Sequence, residues 1–286
     1  MKFLNILKLA FVSVLFASLY SCDVIDKPFE ESLTPEDTTS TTTHVRKILL
    51  EEYTGFQCPN CPSAIPVIEA LKAVYSDRLV VMAVHAGYFA KPDASSGHYL
   101  YDFRTSVGTD WYREFGIESN PMGLINRIGK TTNQHIFAPG SWAEQIATLA
   151  EDNEPEMLIN ITPSYTDGAA SIGAKVDVEF LQDLEKRYML SVVLIQDGII
   201  DVQNNGGTVV EGYEHNHVLR GAFNSSWGEA VNSENVAKGE KYSTNLSIAV
   251  KEDTTHPWEA DKMKIIAFVY DVNTYEVMQV EEVSVK

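Results

Sequence analysis

Hydrophobic and polar positions change period several times along the chain. An extended apolar run over 45–53, through Ile48, Leu49 and Leu50, gives way to Ala64, Val67, Ile68, Leu71 and Tyr75, which fall on one helical face. Residues 79–85 then form a continuous apolar run of the kind buried on both faces of a sheet. The pattern breaks over 86–110, where Gly87, Pro92, Gly97 and Gly108 are mixed with Tyr88, Phe89, Tyr99, Tyr101 and Phe103. This stretch reads as an insertion, its rings either shaping a groove or covering core. A short helix over 111–115, a strand over 122–128, a hairpin partner over 134–137 and a last helix marked by Trp142, Ile146 and Leu149 complete the order β-α-β-α-β-β-α. Past Asn153-Glu154-Pro155 strand-like runs follow at 157–165, 171–180, 188–196, 208–210, 241–250, 263–270 and 276–283, with turn signals such as Asp197-Gly198 and Asn205-Gly206-Gly207 between them. Short strands at that spacing predict an all-β antiparallel sandwich of the immunoglobulin-like kind over 155–286.

The beginning of the chain belongs to neither pattern. Lys2 and Lys8 flank a basic start, residues 9–20 form an apolar run short for a membrane span, and Ser21 precedes Cys22. Leu19-Tyr20-Ser21-Cys22 resembles a bacterial lipobox, which implies a lipoprotein signal peptide over 1–21 and a lipidated Cys22 as the new N-terminus. Residues 22–44, rich in acids, Pro, Ser and Thr without an apolar period, are expected to be a disordered tether. Asp23 and Asp26, directly after the lipid cysteine, resemble a surface-export signal of Bacteroidetes lipoproteins.

Charge narrows the partners. With 22 basic and 40 acidic residues the net charge is −18, so the chain should repel nucleic acid and anionic headgroups. Membrane attachment is therefore expected through acyl chains on Cys22. Of the three cysteines, two then remain for a disulfide, which suits an oxidising compartment outside the cytoplasm.

Those two, Cys58 and Cys61, lie where the first extended run turns into helical periodicity. A thiol at a helix N-terminus faces unpaired N–H groups and the positive end of the dipole, which favour thiolate. Cys58 is the expected nucleophile, and Cys61, one helical turn on, the thiol that resolves a mixed disulfide. A cysteine pair at this spacing also serves as half a zinc site, but no second pair exists here, and a lone His85 is more simply hydrogen-bonded. His215 and His217, two apart in Glu214-His215-Asn216-His217, would share one strand face, and with Glu211 or Glu214 are weak candidates for a metal shell. Hydrogen bonding between domains suits that string better, and no cofactor is called for.

The stretch around Cys58-Pro59-Asn60-Cys61 resembles the thioredoxin superfamily. That resemblance implies an α/β thioredoxin-like domain over 45–154, with 86–110 as its insertion. It implies roles for Glu52 as the buried acid that moves a proton to the inner cysteine, and for Pro66 as a helix-kinking proline. It further implies that Pro121, in Glu118-Ser119-Asn120-Pro121-Met122, is a cis-proline beside the disulfide. Phe56-Gln57 and Pro59-Asn60 depart from the usual thioredoxin lead-in and spacer, which leaves open whether the pair reduces, oxidises or isomerises. The whole arrangement, with His215-Asn216-His217-Val218-Leu219-Arg220, resembles the outer-membrane-protein-28-related lipoproteins of Bacteroidetes.

Two functions are expected to compete. One is a thiol–disulfide oxidoreductase of the cell envelope, anchored in the outer membrane and facing the periplasm or the surface, acting on protein thiols or disulfides. The other is a non-catalytic surface lipoprotein or adhesin whose sandwich binds a partner and whose disulfide is structural.

Overall fold

The computed structural model describes residues 44–286. The signal peptide over 1–21, the lipidation site Cys22 and all but the last residue of the tether lie outside the described residues. Among those described, no helix is long and apolar enough to cross a membrane.

The first segment begins with β1 (Ile48–Thr54), followed by α1 (Ile65–Tyr75), β2 (Leu79–His85), α2 (Ser106–Glu114), β3 (Met122–Ile125) and α3 (Pro139–Ala150). β1 pairs with β2 in parallel and with β3 antiparallel. Ile48, Leu50, Leu79 and Val81 send their side chains to one face, where Ile68 and Leu71 of α1 and Trp142 and Ile146 of α3 cover them. Leu49, Val80, Met82 and Val84 point to the other, against Val107 and Trp111 of α2. Helices on both faces explain why β1 and β2 are buried along their whole length, including Glu51, Glu52 and Thr54 of β1 and His85 of β2. The hairpin partner expected over 134–137 is reduced to a single bridge between Gly123 and Phe137. Asn126, Arg127, Gly129 and Asn133 all adopt left-handed conformations, which coil the connection instead of letting it run straight back.

The second segment supplies β4 (Met157–Ser164), β5 (Ser171–Phe180), β6 (Tyr188–Gln196), β7 (Ile199–Asn205), β8 (Thr208–His215), β9 (Val218–Ala222), β10 (Glu229–Ala230), β11 (Lys241–Ala249), β12 (Met263–Asp271) and β13 (Val277–Ser284). β11, β5 and β4 form a three-stranded sheet. β13, β12, β6 and β9 continue the sheet of the first segment, in the order β13-β12-β6-β9-β2-β1-β3, with β10 on β6. The two sheets stack through Ile159, Val176, Val178, Leu190, Val192, Ile265 and Ala267, a sandwich-like layering of a mostly β fold.

The sandwich is thus not closed upon itself: its larger sheet crosses Pro155 and runs on into β2 through β9. The join is parallel and short, Ala83 against Val218, with the Ala83 N–H donating to His217 O at 2.8 Å. β6 and β12 are buried on both faces because α2 of the first segment covers the side away from the three-stranded sheet. β5, with one face covered, alternates between buried and more exposed positions.

Candidate functional site

The site forms where β1 ends. Gly55 leads the chain out because a Cβ there would lie 2.6 Å from the backbone of Phe89. That close approach lets the Gln57 N–H donate to Phe89 O at 3.0 Å. Cys61 then opens a short 3-10 turn, Cys61–Ala64, that runs straight into α1. Cys58 and Cys61 are joined as a disulfide, with their Cα atoms 5.4 Å apart. The Asn120–Pro121 peptide bond is cis and lies beside the pair, with Asn120 O 3.5 Å from Cys58 Sγ. Pro66 lies in the first turn of α1, where the missing N–H leaves no helical bond unmade.

Glu52 lies behind the disulfide. In the parallel register Glu52 is opposite Ala83 and Thr54 opposite His85, so all four point to one face of the sheet. Glu52, His85 and Cys61 line a cavity of about 30 Å³, completed by Gln203, Tyr213 and His215 of the second segment. Glu52 Oε1 and His85 Nδ1 are buried there without a protein hydrogen-bond partner. Burial pushes the Glu52 carboxyl up to about 7, against an opposing hydrogen bond from Thr54. Burial also holds His85 well below the usual imidazole range, reinforced by His215, and lowers His215 to about 4. Both rings are therefore neutral at ordinary pH, and Glu52 is the group poised to exchange a proton near neutrality.

Tyr99 and Phe103 of the aromatic insertion face inward, whereas Tyr88 is exposed. Phe103 packs on Phe56, on the His85 ring at 4.7 Å and on the His215 ring at 4.9 Å, while Tyr99 meets Phe56 at 5.3 Å. Ile199, Val202 and Val218 complete that cluster. These rings join the insertion to the second segment and cover core, while Tyr101 and Phe103 also line an open groove with Arg220 and Trp258.

His215 and His217 do not share a strand face. β8 ends at His215, and His217, at φ 58°, turns the chain the other way. His215 Nε2 faces Val202 O at 3.3 Å, while the His217 backbone N–H donates to Asp197 Oδ1 at 2.7 Å. Among the described residues no group of His, Cys, Asp and Glu is gathered as a metal shell.

One part of the site escapes sequence reasoning. β7 and β8 form a hairpin over the cysteine loop, and its N–H groups meet four consecutive carbonyls. Asn204 N donates to Phe56 O at 2.7 Å, Asn204 Nδ2 to Gln57 O at 3.2 Å, Gln203 Nε2 to Cys58 O at 3.0 Å and Gly206 N to Pro59 O at 2.9 Å. Cys58 is 1% and Cys61 3% exposed beneath it. The signal for this hairpin is its turn, Asn205-Gly206-Gly207, but β7 lacks the apolar alternation that would have marked a strand before it.

Residues 109–286, more than half of the chain, match the family model described as outer membrane protein Omp28. The match begins beyond the cysteine pair. No curated protein matches the sequence. Among solved structures, HBP35 of Porphyromonas gingivalis is similar in fold, with a TM-score of 0.65 at 18% identity over 84% of this chain and 76% of that one. A domain of the outer membrane lipoprotein Omp28 from Porphyromonas gingivalis matches at 28% identity over 46% of this chain and 89% of that one, with a TM-score of 0.33.

Proposed function

The chain belongs to the Omp28 family of outer membrane proteins, and we propose that in it Cys58 and Cys61 carry out thiol–disulfide exchange in the cell envelope. Membership supports location at the outer membrane, and the first segment reads as a thioredoxin-like domain. The observation that carries the reading is the arrangement around the pair: Asn120 O at 3.5 Å from Cys58 Sγ on one side, and Glu52 sharing a small cavity with Cys61 on the other.

The thiolate of a dithiol donor attacks Cys58 Sγ, and the Cys58–Cys61 bond breaks with its electron pair on Cys61 Sγ. Glu52 supplies the proton to that sulfur and regains one from solvent. The donor's second thiolate then attacks the donor sulfur of the mixed disulfide, releasing the donor as a disulfide and Cys58 as a thiolate, which takes a proton from solvent. With a disulfide-bonded protein substrate the sequence runs in the opposite sense, Cys58 attacking and Cys61 resolving. Pro121 and Asn120 present backbone to an extended substrate beside Cys58.

Cys58→Ser is expected to abolish insulin reduction, and Cys61→Ser to accumulate mixed disulfides on Cys58, visible as reductant-sensitive adducts on gels. A reduction potential below about −300 mV together with no trapped adduct would remove the redox reading. The near-complete burial of both sulfurs favours the second reading, in which the disulfide is structural and the protein binds a partner at the surface.

Anchoring is proposed through lipid on Cys22, with the chain facing either the periplasm or the exterior. Cys22→Ala should leave the detergent phase in a partition experiment and appear as soluble protein. A variant that still fractionates with membranes would place the anchor elsewhere.

A further inference from the structure

β7 and β8 form a two-stranded sheet of their own, unpaired with either larger sheet. The hairpin is bracketed by two left-handed residues, Gly198 at φ 67° and His217 at φ 58°, and its base is tied by the Gly198 N–H donating to Asn216 Oδ1 at 2.8 Å. Its root is fixed: Ile199 and Val202 lie in the apolar cluster with Phe56 and Phe103, and Asp201 Oδ2 faces His256 Nε2 at 2.7 Å. Immediately beyond the root the ladder is irregular. Asp201 pairs with Tyr213 but Gln203 pairs with Val210, so Glu211 and Gly212 bulge opposite Val202. A bulge of this kind interrupts pairing and bends the ribbon.

Beyond the bulge the contacts change character. Residues 203–210 end in an exposed tip, Asn205-Gly206-Gly207. What holds this distal half down is polar: the four hydrogen bonds from Gln203, Asn204 and Gly206 to the carbonyls of residues 56–59. The neighbouring Glu211 adds its contact with His98 Nδ1 at 2.7 Å. These carbonyls flank Cys58 on both sides, and they are the acceptors that an extended polypeptide laid across the loop would use.

We propose that the distal half of this hairpin, residues 203–210, is a gate over the Cys58–Cys61 disulfide that bends away at the bulge to admit a polypeptide thiol or disulfide and occupies the same backbone acceptors when closed. The gate acts on the redox site proposed above and rests on that reading. It accounts for a pair of sulfurs that is placed for exchange and yet covered.

The test is the rate at which dithiothreitol reduces the disulfide of the full chain, followed by alkylation of the freed thiols. A gate that opens slowly makes the rate level off as dithiothreitol rises, at the opening rate. Gln203→Ala with Asn204→Ala removes two of the four bonds and should raise that plateau about thirtyfold, the weight of two ordinary hydrogen bonds. Hydrogen exchange at the Asn204 and Gly206 amides in the unaltered protein supplies a second readout, since both are released only by opening. Their opening rate should equal the plateau.

A rate that stays proportional to dithiothreitol, unchanged in the double variant, overturns the gate even if insulin is reduced. So does a plateau that differs from the amide opening rate. Conversely, a plateau that matches amide opening in a protein that never reduces insulin keeps a moving hairpin and removes the redox reading.

Discussion

Glu51 and Glu52 are adjacent in sequence and end in opposite environments, because a strand sends successive side chains to opposite faces. Glu51 meets the guanidinium of Arg127 through two hydrogen bonds, at 2.7 and 2.8 Å, and both side chains are fully buried. Glu52 has no such cation and pays for burial in protonation: its carboxyl moves from 4.5 to about 7. A carboxyl whose folded value lies above its unfolded one stabilises the fold fully below the unfolded value, and that stability is lost as pH rises through the folded one. A shift of this size corresponds to about 3 kcal/mol between the two limits. Glu52→Gln keeps the shape without the titration, so its stability relative to wild type should rise by about 3 kcal/mol between pH 4 and pH 8.5. Denaturant unfolding of both proteins at the two pH values measures this, and a constant difference would show that burial does not shift the Glu52 carboxyl. At this scale the cysteine pair is legible from the strand-to-helix turn, and the buried acid only through the resemblance to thioredoxins. His85 and His215 are not, since nothing in the spacing of two imidazoles 130 positions apart tells that their rings will lie 5.5 Å from each other.

Elements are legible in the sequence wherever one period persists. The runs at 79–85, 171–180 and 188–196 coincide with β2, β5 and β6, and α1 and α3 follow their apolar faces. Reading failed where burial comes from a site and not from a face. β7 and β8 show little alternation because most of their side chains meet solvent, a loop or another imidazole, and β9 is only five residues long. Yet these are the elements that bring the two segments to the cysteine loop. His217, just before β9, accepts the Ala83 N–H at the join between β9 and β2, and the left-handed turn there allows β8 to leave in the direction of Cys58. The string from Glu214 to Arg220 thus acts as a junction: His215 enters the cavity, His217 caps against Asp197, and Arg220 reaches Asp253 at 3.2 Å and His256 O at 2.8 Å. Its density of polar residues, conspicuous in the sequence, reflects the number of segments that meet there.

Across the whole molecule, a break in pattern at Pro155 does not coincide with a break in structure. The large sheet passes from one segment into the other, and the cluster on its outer face takes Leu49, Trp111 and Leu124 from before Pro155 and Ile266, Phe268 and Val280 from after it. Arg127 lies within this shared cluster, its guanidinium 4.9 Å from the Trp111 ring, 4.8 Å from Phe115, 4.9 Å from Phe268 and 5.5 Å from Tyr270. Two of those rings belong to each segment, so the buried pair of Arg127 and Glu51 is part of both cores. Arg127→Ala would leave the Glu51 charge buried and uncompensated, a loss of about 3–5 kcal/mol, whereas replacing both partners with apolar side chains of similar volume is much milder. A sheet and an ion pair held in common imply that the segments unfold together. The full chain should therefore show one transition, seen at the same midpoint through Trp142 of the first segment and Trp258 of the second. Arg127→Ala should lower both probes equally, and Glu51→Leu with Arg127→Met should restore most of the loss. Separate midpoints for the two tryptophans, or a loss confined to one of them, would show two independent cores that merely share an edge.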